Sequence, residues 1–119
     1  MLFGSCHCGA VRVEVAGPPK YIIDCNCSIC RRNGALWGLY EPAAVRLSGQ
    51  DDNAVPYVWG PETLKTMHCR HCGCVVYWEE LKPGHGGKMG VNFRNFDPAA
   101  RQGIRVRRFD GAVSWAFLD

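Results

Sequence analysis

The segment AVRVEV (10–15) alternates apolar and polar residues, the pattern of a strand with one buried face. Short apolar runs follow at YIID (21–24), LWGLYE (36–41), AVRLS (44–48), VPYVWG (55–60), VVYWEE (75–80), KMGVNF (88–93) and AVSWAFL (112–118). They are rich in Val, Tyr, Trp and Phe, which suit a pleated surface. Turn formers separate them: GPP (17–19), SGQDDN (48–53), GPE (60–62), KPGHGG (82–87) and FDP (96–98). No segment longer than ten residues keeps a clean helical period. Only DPAARQG (97–103) predicts a helical turn, with Asp97 as N-cap and Pro98 first inside. The pattern predicts an all-β fold. With no linker and no low-complexity tract, one domain is expected over residues 1–119.

Composition changes this picture at one point. Eight of the 119 residues are cysteine, close to the share that marks a cysteine-built scaffold. The net charge of +3 is mild, and the basic residues are scattered apart from Arg31-Arg32 and the group Arg105, Arg107, Arg108. That distribution argues against a nucleic-acid partner, which calls for a clustered basic face. No stretch approaches the ~18 apolar residues of a membrane span. MLFGSCHCGAVRVEV lacks a basic start followed by an apolar run. The expectation is therefore a cytoplasmic protein with reduced thiols, in which closely spaced cysteines point to metal or catalysis rather than disulfides.

The cysteines form two patterns. Cys6-His7-Cys8-Gly9 is echoed by Cys69-Arg70-His71-Cys72-Gly73. A chain that wraps a metal must turn sharply after its second sulfur, and glycine permits the positive φ such a turn often needs. Two such knuckles supply four thiolates, enough for a closed structural zinc site. It would staple the N-terminal strand to the middle of the chain. His7, His68 and His71 lie beside these cysteines and can each replace one, although four sulfurs are the simplest set.

The second pattern is DCNCSICRRNG (24–34), with Cys25, Cys27 and Cys30. Alternate residues of a flat strand sit ~6–7 Å apart, too far for adjacent ligands of one ion, so the chain must bend here. Three sulfurs leave a tetrahedral ion one position short. The eighth cysteine, Cys74, either completes this set and closes it or packs into the sheet and leaves it open. An open position is the mark of a catalytic zinc.

The series SCHCGAVRVEV, CNCSICRRNGA, HCRHCGC and MGVNFRNFD, in this order, resembles the glutathione-dependent formaldehyde-activating enzyme family, which also includes centromere protein V. The resemblance runs from about Ser5 to Asp97. It implies a small zinc-bearing β-tent of two or more short antiparallel sheets, as in the Rab-binding zinc exchange factors. It implies a structural zinc on Cys6, Cys8, Cys69 and Cys72, and a second, catalytic zinc on Cys25, Cys27 and Cys30. The implied activity is that of a carbon–sulfur lyase joining glutathione to formaldehyde as S-hydroxymethylglutathione. Cys74 departs from the small hydroxyl residue expected after Cys-Gly.

Under this reading a small thiol such as glutathione and an aldehyde are the partners. Arg31 and Arg32, directly after Cys30, are candidates to hold its carboxylates, with solvated surface positions the alternative. Trp37, Tyr40, Asn92, Phe93 and Arg94 are candidates for a pocket wall, with core packing the alternative for the aromatics. His85, in PGHGG, is a candidate general acid or an exposed loop histidine. A non-catalytic zinc module that binds another protein is the competing function, favoured if Cys74 closes the second site.

Overall fold

The computed structural model describes residues 1–119. Its elements are β1 (Leu2–Ser5), β2 (Arg12–Val15), β3 (Tyr21–Cys25), α1 (Ser28–Asn33), β4 (Trp37–Tyr40), β5 (Val45–Ser48), α2 (Gln50–Asn53), β6 (Ala54–Tyr57), β7 (Leu64–Cys69), β8 (Val75–Glu80), β9 (Met89–Asn92), α3 (Pro98–Arg101), β10 (Arg105–Asp110) and β11 (Ala116–Phe117). The fold is mostly strand with a few short helices, as the apolar pattern predicts. No helix is long and apolar enough to cross a membrane.

The strands form two sheets. One has the order β1-β2-β5, and the other β11-β10-β3-β4-β9-β8-β7-β6. All pairings are antiparallel except one: β10 runs parallel to β3, with Phe109 opposite Cys25. The sheets are otherwise antiparallel, as expected, with this one parallel pairing added.

The central strands of the larger sheet, β4, β8 and β9, are largely buried, which explains why VVYWEE and LWGLYE read as near-continuous apolar runs. One face sends Ile22, Met67, Val76, Met89 and Val91 into the main core, where they meet Val13 and Val15 of the small sheet. Phe93 is fully buried there, stacked on Phe96 at 4.4 Å between ring centroids. Burial of such a ring stabilises the fold by about 1.5–3 kcal/mol. The other face carries Ile23, Trp37, Leu39, Leu64 and Trp78, a smaller cluster that is the floor of a cavity.

α3 begins as expected, with the Asp97 side chain accepting from the Ala99 amide and Pro98 in the first turn. Three strands, β1, β7 and β10, lie outside the runs the pattern marks. In β10 the pattern is inverted: Val106 is exposed, while Arg107 lays its guanidinium 3.6 Å from the Phe117 ring centroid. A charged residue on the aromatic side hides the strand's periodicity.

Candidate metal centres and the cavity beside the three-cysteine cluster

The β1–β2 and β7–β8 connections are two versions of one turn. The Cys6 amide donates to the Val11 carbonyl and the Cys69 amide to the Cys74 carbonyl, both at 3.0 Å and both five residues on. Gly9 and Gly73 close the turns at φ +81° and +77°, the conformation foreseen for a glycine after the second sulfur. Further amides aim at sulfur: Val11 N–H to Cys6 Sγ at 3.3 Å, and His71 N–H to Cys69 Sγ at 3.4 Å.

The turns bring the sulfurs of Cys6, Cys8, Cys69 and Cys72 within 4.8 Å of one another. Cys8 Sγ lies 3.7 Å from Cys6 Sγ and 3.6 Å from Cys69 Sγ. A tetrahedron of thiolates around zinc has edges of about 3.8 Å, so this donor set fits such an ion. The amides favour the ionised form that a metal requires. The Cys74 amide, then that of Cys8, draws the Cys72 thiol down to about 5. The Cys72 amide leads the lowering of Cys69. No histidine enters the cluster: His71 Nε2 lies 2.7 Å from Asn53 Oδ1 instead.

The second set sits where β3 runs into α1. Cys25 ends the strand, Cys27 is the N-cap of the helix, and Cys30 lies in its first turn. The Cys27 sulfur accepts the Cys30 amide at 3.4 Å, which is the bend that a C-x-C step needs to gather its sulfurs. All three sulfurs lie within 4.8 Å of one another. The Trp37 indole donates Nε1–H to Cys30 Sγ at 3.3 Å. Crowded thiols share protons unevenly. The hydrogen bond with Cys30 holds Cys25 down to about 6 against burial, while the same contact and then burial push Cys30 up.

These three cysteines line a cavity of about 390 Å³. Its walls are largely aromatic, and the rings meet edge to face or tilted. Trp37 meets Trp78 at 6.4 Å, Trp78 meets His85 at 5.3 Å, and His85 meets Trp115 at 6.5 Å between ring centroids. Phe109 then joins Trp115 at 5.0 Å to Phe117 at 5.1 Å, and Phe117 meets Tyr21 at 5.7 Å. Gly111 completes the triplet's side. A Cβ placed on it falls 2.7 Å from Cys25 Sγ and 3.1 Å from Cys27 Cβ, so only hydrogen fits.

The model of the family described as glutathione-dependent formaldehyde-activating enzyme matches residues 1–108. The chain belongs to this family. A curated relative from Halomonas elongata, named "Putative glutathione-dependent formaldehyde-activating enzyme", is 46% identical over 56 residues. That alignment spans 46% of this chain and 33% of the relative, so the chain matches about a third of the relative's length. A crystal structure of a Rhodobacter sphaeroides protein superposes with a TM-score of 0.70 at 28% identity, over 88% of this chain and 99% of the other.

Within this family member the other sequence candidates fall in different places. Cys74 joins neither sulfur cluster; it packs against the main core, with Cys72 as its sulfur neighbour. Asn92 does not line the cavity. It is buried, and its side chain serves the backbone: Oδ1 accepts from Leu36 and Arg94 amides at 3.1 Å, and Nδ2 donates to Val75 O at 2.9 Å. Arg31 and Arg32 are exposed and stand outside the main cavity. Arg32 donates to Ser28 O at 2.7 Å and borders a neighbouring depression, which shares Ile29, Asn33 and Trp59 with the cavity. Tyr40 stacks on Phe93 in the core, and Arg94 donates to Gly34 O at 3.0 Å. His85 is half-buried in the cavity wall, its Nε2 3.4 Å from Thr63 Oγ1, rather than exposed on its loop.

Sequence reasoning passed over Asn26, between two cysteines of the triplet. Its Nδ2 donates to Asp110 Oδ1 and its Oδ1 accepts from Ala112 N, both at 3.0 Å. Asp110 also accepts the Ser114 hydroxyl at 2.8 Å and amide at 3.1 Å; Ser114, then Asn26, holds its carboxyl below the usual range. The triplet loop and the loop bearing Gly111 and Trp115 are thus tied together. The only signal for this in the sequence is an Asx-type turn at Asp110-Gly111.

Proposed function

We propose that this chain, acting as one domain over residues 1–119, is a zinc-dependent carbon–sulfur lyase-type enzyme. It joins glutathione or a similar small thiol to formaldehyde or another aldehyde, among the reduced thiols of the cytoplasm. Cys6, Cys8, Cys69 and Cys72 hold a structural zinc; Cys25, Cys27 and Cys30 hold the catalytic one. One observation carries the reading: the three-sulfur set lines an enterable cavity, and Cys74 is not among its sulfurs.

Zinc held by Cys25, Cys27 and Cys30 would favour the deprotonated form of a substrate thiol that reaches it. The chain's own groups do the rest. The Trp37 indole N–H holds Cys30 Sγ in position. The aromatic walls exclude water and confine the aldehyde beside the sulfur, which supplies proximity. His85 Nε2, in the same cavity, can hand a proton to the aldehyde oxygen as the carbon–sulfur bond forms. Arg32, at the adjoining depression, is the residue suited to a glutathione carboxylate.

The test is zinc content of wild type and of Cys27→Ser, with glutathione-dependent aldehyde consumption measured beside it. The reading predicts two zincs falling to one, the fold retained, and activity reduced roughly a hundredfold or more. Two zincs that persist in the variant, or wild-type protein indifferent to every thiol and aldehyde tried, would favour a non-catalytic binding module.

A further inference from the structure

The cavity is far too large and too apolar for formaldehyde alone. Formaldehyde is close in size to a water molecule, whose share of the liquid is about 30 Å³, whereas the cavity holds about 390 Å³. All four tryptophans of the chain, Trp37, Trp59, Trp78 and Trp115, line it. No Lys, Arg, Asp or Glu does. Glutathione carries two carboxylates and an ammonium group at neutral pH, and burying such charges without partners is strongly unfavourable. Its charged ends therefore belong at the mouth, towards Arg32, and something else fills the interior. Phe109, Gly111, Trp115 and Phe117 lie beyond residues 1–108, the span that matches the family model.

We infer that the aldehyde partner of this enzyme carries an aromatic ring or an apolar group of similar bulk, which the tryptophan-lined cavity receives. The inference rests on the proposed function and narrows its substrate class. The chemistry is that of a hemithioacetal. A sulfur lone pair of the deprotonated thiol forms the bond to the carbonyl carbon. The C=O π pair moves to oxygen, and that oxygen takes up one proton, equal to the one the thiol released. Nothing is oxidised or reduced. Aromatic rings suit such a wall because edge-to-face and offset contacts with indoles add to the area buried.

Because all four indoles face the cavity, intrinsic fluorescence reports its occupancy. Zinc-loaded protein is titrated with S-benzylglutathione and with S-methylglutathione, and loss of free thiol is followed with glutathione plus benzaldehyde or formaldehyde. The expected result is S-benzylglutathione binding roughly tenfold or more tighter, with a fluorescence change. Benzaldehyde should also be accelerated over its protein-free rate more than formaldehyde is. Trp115→Ala, at a position 62% exposed, should weaken S-benzylglutathione severalfold and S-methylglutathione much less, narrowing the difference between the two. Equal binding of the two ligands, or greater acceleration of formaldehyde, overturns the inference and leaves the proposed function standing. Acceleration of neither aldehyde overturns both.

Discussion

The two cysteine clusters offer the same ligand atom and differ in everything around it. The four-sulfur cluster joins two turns that are distant in the sequence, one from each sheet. Cys6 and Cys69 are all but fully buried, and backbone amides are directed at the sulfurs. The three-sulfur cluster comes from one continuous stretch, is held by a helix N-cap and one indole, and lines a cavity. A cluster that ties distant segments serves stability. A local cluster beside a cavity is free to serve chemistry, because no distant segments are tied through it.

Substitutions sharpen this contrast. The largest effect is expected from Cys69→Ser. It removes a fully buried sulfur that couples β7 to the β1–β2 turn, and should lower stability by several kcal/mol, on the order of 3–5. Thermal melting and zinc content check it; an unchanged melt would make the two clusters equivalent. Gly111→Ala comes next. Its methyl is directed at Cys25 Sγ, so zinc affinity at the triplet and turnover should fall roughly tenfold while the melt moves by only a few degrees. Trp37→Phe keeps a ring but drops the bond to Cys30 Sγ, and about 1 kcal/mol, or roughly a fivefold fall in turnover, is expected. Cys74→Ala is the smallest: zinc content should not change. Loss of the triplet's zinc in that variant would mean that Cys74 completes the set after all.

The same contrast explains what was legible in the sequence. The outer cluster was readable because each knuckle is a local turn whose glycine is dictated by backbone geometry. Cys6, Cys8, Cys69 and Cys72 could be grouped without knowing any strand pairing. The triplet was readable as a group of sulfurs but not as a helix start, since six residues hold no measurable period. The cavity was not readable. Its walls come from residues as distant as Tyr21, Trp59 and Phe117, and the parallel β3–β10 pairing that brings Phe109 and Phe117 beside Tyr21 is not foretold by SGQDDN-like turn signals. Arg107 further masked that strand by packing on Phe117 while paired with Asp119. Asn92 drew attention as a polar residue in a motif, yet a buried amide that satisfies three backbone groups is a fold element.

The most direct test of the central claim counts sulfur ligands at each site with cobalt in place of zinc. Sulfur-to-cobalt charge-transfer bands are recorded for wild type before and after addition of glutathione. The account predicts two cobalt ions per chain, one spectrum insensitive to the thiol and one that gains intensity equivalent to a single added sulfur. Two spectra that both ignore the thiol, each already at full four-sulfur intensity, would contradict it.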